Sequence, residues 1–73
     1  MDRTTLLNHF ALAKEDLAEG DRHIERQESL IVMRERDGLD TATASAILNI
    51  LRKRQAMHRQ NVKRILRELG QTN

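Results

Sequence analysis

A seam stepping alternately by four and three residues runs through this chain twice and is interrupted once. In the first half it comprises Leu6, Phe10, Ala13, Leu17, Gly20, Ile24, Gln27 and Ile31. In the second half it comprises Ala44, Leu48, Leu51, Gln55, His58, Val62, Ile65 and Leu69. A mean spacing of 3.5 residues holds a narrow stripe on one side of an α-helix. Sustained over about four heptads, it specifies a helix that packs lengthwise against another.

The interruption is Asp37-Gly38-Leu39-Asp40-Thr41. Gly38 can adopt the left-handed conformation that ends a helix, with Leu39 folding back on Met33. Asp40 suits the N-cap of a new helix, its carboxylate accepting from the amides of Ala42 and Thr43. The spacing therefore predicts one domain over residues 1–73, with a helix over about 3–37, a turn at about 38–40 and a helix over about 41–69 closed by Gly70. At 1.5 Å per residue the helices would be about 50 Å and about 43 Å long. So short a connection makes them antiparallel.

Folding the chain at Gly38 and Leu39 pairs Phe10 with Leu69, sets Leu17 between His58 and Val62, and places Gly20 opposite His58. It also puts Ile24 between Leu51 and Gln55, with His23 opposite Gln55. A mid-helix glycine costs about 1 kcal/mol relative to alanine, so Gly20 is expected to make room for the imidazole of His58. His23, Gln27, Gln55 and His58 then form a polar layer in the seam, which must be hydrogen-bonded and would fix register and orientation.

A second apolar set lies off the seam, concentrated toward the turn: Leu30, Val32, Met33, Leu39, Ile47, Ile50 and Met57. Leu7 and Leu66 form a smaller cluster at the open end. Two helices alone cannot cover these side chains, and 73 residues leave little core to spare. The expected fold is all-α: an antiparallel, coiled-coil-like two-helix hairpin that dimerises into a four-helix bundle. Leu30, Met33, Ile47, Ile50 and Met57 are its candidate contacts with a second copy or another protein's helix.

Composition narrows the function classes. The chain has no cysteine and no proline, and Phe10 is its one aromatic residue. Disulfides and thiolate metal sites are thereby excluded. No apolar run approaches the ~18 residues that span a bilayer, and the N-terminus has no signal-like segment, so a cytoplasmic protein without membrane association is expected. The serines have no histidine on the same helical face and there is no glycine-rich phosphate loop, so no enzyme is expected. No cofactor is called for. Two histidines and Glu19 fall short of a bundle metal site, because Gln55 stands where a glutamate would be needed one turn before His58. His9, near the open end, reads as solvated.

Charge is unevenly divided. Residues 1–40 carry six basic side chains against ten acidic ones, and residues 41–73 carry seven against Glu68 alone. The second helix is thus basic, and Arg52, Arg59, Lys63 and Arg67 are candidate phosphate contacts of a nucleic-acid-associated protein. Pairs across the hairpin, Glu25 with Arg52 or Arg54 and Glu19 with Arg59, would neutralise much of that field. The lack of interleaved aromatics argues against single-strand stacking.

The run Glu19 to Gln27, the turn Asp37-Gly38-Leu39-Asp40-Thr41, and the later Leu48, Leu51, Gln55, His58 and Leu66-Arg67-Glu68-Leu69 resemble a group of short uncharacterised alphaproteobacterial proteins. The resemblance spans about residues 6–70. It implies a bacterial cytosolic setting and carries no catalytic residues.

Overall fold

A computed structural model describes residues 2–71. It has two helices, α1 (Arg3–Arg36) and α2 (Ala42–Gln71), packed against each other along their length. The molecule is a rod of 57 × 14 × 13 Å. Its radius of gyration is 16.7 Å, where a globule of this chain length would have about 11 Å.

Each helix end has a local cause. Asp2 caps α1, its Oδ1 accepting from Thr5 N at 2.7 Å and its carbonyl from Leu6 N at 3.1 Å. The first satisfies an amide that has no backbone partner within the helix, and the second is the first rung of the helix's own ladder. At the other end Gly38 has φ +70°. Leu39 N donates to Arg34 O at 2.8 Å and Gly38 N to Glu35 O at 3.1 Å, a Schellman-type closure that consumes the last carbonyls of α1.

The turn is longer than the spacing predicts, running over residues 37–41. Thr41, not Asp40, occupies the position before α2, and its carbonyl accepts from Ser45 N at 2.8 Å. Asp40 Oδ1 accepts from Ala42 N at 3.0 Å and has no bond to Thr43. Gly70 does not close α2, which continues through Gln71.

Every seam position is buried or half-buried. Leu6, Ala13, Ala44, Leu48 and Ile65 form the apolar core, and among the described residues Gln55 is the one fully buried polar side chain, 1% exposed. The register differs from the expected one by about three residues. Gly20 faces Gln55 and not His58, Leu17 and Asp21 also meet Gln55, and Gln27 reaches Ala44. The cause is the turn. Once Leu39 bonds back to Arg34, the extended residues 39–41 run down beside α1, where Arg34 Nε donates to Asp40 O at 2.9 Å. The helix α2 therefore starts below the top of α1, and each of its residues sits nearer the open end.

Candidate functional site

The polar seam residues lie in the middle of the rod, but they do not form one network. Gln55 reaches across from α2 and its Nε2 donates twice, to Leu17 O at 2.7 Å and to Asp21 Oδ1 at 2.8 Å. Both amide protons are thus used, which fixes the amide orientation. Its Oε1 has no conventional hydrogen-bond partner. That oxygen lies in the direction where a side chain at Gly20 would begin, since a Cβ built there runs into Oε1 and would stand 2.7 Å from Cδ. The Cα–H of Gly20 therefore points at Oε1, a weak C–H···O contact that only glycine permits at this separation.

Gln27 is a second, separate anchor, its Nε2 donating to Ala44 O at 2.9 Å. The histidines are not part of either anchor. His23 Nε2 lies 3.6 Å from Glu19 Oε1, one turn earlier on its own helix. His23 and His58 line a shallow cleft of about 170 Å³ with Asp16, Glu19, Gly20 and Arg54. Among the described residues, no group of three or more His, Asp or Glu is gathered closely enough to hold a metal ion. His9 is exposed near the open end. Asp21, which the seam pattern does not single out, is the acceptor that completes the Gln55 anchor.

The seam divides the rod into two unlike edges. With the seam as heptad positions a and d, antiparallel helices bring g residues together on one side and e residues together on the other. The cleft joining Asp16 and His23 to Arg54 marks the first, the histidine edge. The groove of about 310 Å³ joining Asp21 and Ile24 to Arg52 and Arg59 marks the second, the charged edge.

Leu30 and Ile47 are g residues, and Met33, Ile50 and Met57 lie just outside them at c. All five are exposed, Ile50 to 56% and Met57 to 71%. Leu30, Met33, Ile47 and Ile50 share the turn half of the histidine edge and, with Leu39 at the turn itself, form an apolar patch. Met57 lies away from that patch, beside Arg64 and Leu66 on a groove along α2. Leu12, also exposed and on the histidine edge toward the open end, escapes the sequence pattern because it belongs to no seam or cluster.

Cross-hairpin neutralisation is slight. Arg52 Nη2 pairs with Glu28 Oε2 at 3.3 Å, in place of the expected Glu25. Glu19 turns to His23 and away from Arg59, which shares its groove with Asp21 and makes no ion pair with it. Arg64 spans its own helix to Glu68 at 3.5 Å. Lys63 and Arg67 reach no acidic side chain among the described residues. The charges of α2 near the open end thus stand unopposed, because the α1 positions flanking them on the charged edge are Leu7, Ala11, Lys14 and Ala18. Lys14 Nζ sits 4.8 Å from the centre of the Phe10 ring, a cation–π contact that covers the one aromatic ring.

No helix among the described residues is long and apolar enough to cross a membrane. No protein family, characterised protein or solved structure matches this chain.

Proposed function

We propose that this chain is a small helical interaction module that self-associates through the apolar patch at its turn, with Leu30, Met33, Ile47 and Ile50 as contacts. The supporting observation is one of area. The chain exposes 5601 Å², whereas a compact monomer of 8.5 kDa would expose about 4,650 Å². The excess, roughly 950 Å², is close to the ~800 Å² that each partner contributes to a standard protein interface. Four large aliphatic side chains clustered on one half-edge are what such an interface needs at its centre. Packing two hairpins there gives the four-helix arrangement that a thin two-helix rod lacks.

Nucleic-acid association through Arg52, Arg59, Lys63 and Arg67 is the second reading. The unopposed charges of Lys63 and Arg67 favour it, and the acidic residues on the same edge, Asp21 beside Arg59 among them, weigh against it.

Light scattering on a size-exclusion column at low and moderate salt tests the first reading. The mass is expected to be a multiple of 8.5 kDa, and the pair Ile47→Glu and Ile50→Glu should reduce it by at least half while helicity is kept. An unchanged mass would overturn the turn-end contact.

A further inference from the structure

The charged edge is polarised along its length, and the polarity is self-complementary. Toward the turn it carries Asp21, Glu25, Glu28 and Glu35, with Arg52 as the only base among them. Toward the open end it carries Lys14, Arg59 and Lys63 and no acid, while Arg67 and Glu15 both lie further round. The change of sign falls near the Gly20–Gln55 contact, at the middle of the rod.

We propose that a second copy of this chain lies antiparallel along the charged edge, on a two-fold axis passing close to Gly20 and Gln55. The pairing follows from counting outward from that axis. Glu28 stands eight residues turnward of Gly20, and Lys63 stands eight residues beyond Gln55 toward the open end, so the axis brings them to the same level. Glu25, five residues out, meets Arg59, four residues out, and Lys14, six residues out. Apolar residues match as well. Val32 is twelve residues from Gly20, while Leu66 is eleven from Gln55 and Leu7 thirteen from Gly20. All three are exposed on this edge.

Each interface would therefore hold two acid-base clusters and two Val32–Leu66–Leu7 clusters related by symmetry. Between them, Ala11, Ala18 and Ala56 lie along the edge with no bulk to hold the rods apart. A parallel copy would set acid against acid and base against base, which the charges oppose. The inference deepens the self-association reading but uses the opposite edge, so both contacts can exist in one assembly.

The test is run on the full chain carrying Ile47→Glu and Ile50→Glu, in which the turn-end patch is silent. This parent is expected to be a dimer at low salt that dissociates as salt rises. Adding Arg59→Glu and Lys63→Glu leaves Lys14 as the one base of the open-end half, so that both halves are net acidic. Adding Glu25→Lys and Glu28→Lys instead leaves only Asp21 and Glu35 as acids of the turnward half, so that both halves are net basic. Each variant alone should fall to the monomer mass, and an equimolar mixture should recover the dimer. Orientation is read separately with single cysteines, the natural chain having none: Val32→Cys should form a disulfide with Leu66→Cys of another copy and not with itself. A monomeric parent, a mixture that stays monomeric, or Val32→Cys homodimers would each overturn the proposal. So would binding of a short DNA duplex by the parent with no recovery on mixing, which would assign the basic half to a polyanion. The turn-end reading stands or falls by its own variant, whichever result is obtained here.

Discussion

Replacing Gly20 by alanine should destabilise this protein, although the same change in the middle of an ordinary exposed helix stabilises by about 1 kcal/mol. The added methyl would occupy the place of Gln55 Oε1. A glutamine side chain is flexible, so the clash alone costs little, and the cleft beside Gly20 gives the amide somewhere to go. What it loses on leaving is the pair of bonds to Leu17 O and Asp21 Oδ1. Each is worth about 1 kcal/mol net, the one to the carboxylate somewhat more. A loss of about 2 kcal/mol set against the propensity gain of about 1 leaves a net destabilisation of about 1 kcal/mol. For a chain of this size that lowers the melting temperature by about 4–8 °C.

With Gln55 already changed to alanine, the obstacle is gone and Gly20→Ala should stabilise by about 1 kcal/mol. The effect changes sign between backgrounds, with a coupling of about 2 kcal/mol. Circular dichroism melts of the four proteins at one fixed concentration measure it, the concentration being held because association shifts the midpoint. A rise in melting temperature on Gly20→Ala in the natural background would refute the reasoning, since it would mean that Gln55 is not held where its two bonds place it.

Gly38→Ala should cost about 1 kcal/mol although nothing stands within 4 Å of its Cβ, because φ +70° is strained for any side chain; thermal melts check this. Leu6→Ala should cost about 2–3 kcal/mol and Leu12→Ala less than about 0.5 kcal/mol in denaturant titrations, because Leu6 is buried and Leu12 exposed on the same helix. The bonds to the Thr5 amide and side chain hold the Asp2 carboxyl below its usual range. Its capping contribution should thus be complete above about pH 4 and be lost as pH falls through the lowered value. Asp2→Asn should retain the cap and remove this acid dependence, while Asp2→Ala should lower the melting temperature at neutral pH.

The seam, the turn and the antiparallel arrangement were legible because each is a local property of the chain. A 3.5-residue period assigns Leu6, Ala13, Leu48 and Ile65 to the core wherever the partner helix comes to rest. The glycine that ends α1 is equally local. Register is not, because it depends on how far residues 39–41 descend after the Schellman closure, and those three residues carry no periodic signal. That difference moved Gly20 from His58 to Gln55, whereas Arg52 reaches back toward the turn to Glu28, which shares its edge of the rod. Asp21 was hidden for a related reason: it lies beside the seam, where a carboxylate ordinarily faces water, and only the reach of Gln55 turns it into an acceptor. The turn-end aliphatic residues were visible individually, but their grouping on one edge required the heptad positions of both helices.

The contact between Gly20 and Gln55 also indexes the outside of the molecule. Sliding α2 by one heptad in either direction would bring Gln55 against Ala13 or Gln27, where a Cβ already fills the space that its amide needs. One register is therefore singled out by a gap one methyl group wide. Every surface feature that depends on lengthwise position, including the point where the charged edge changes sign, is measured from that one notch in a 57 Å rod.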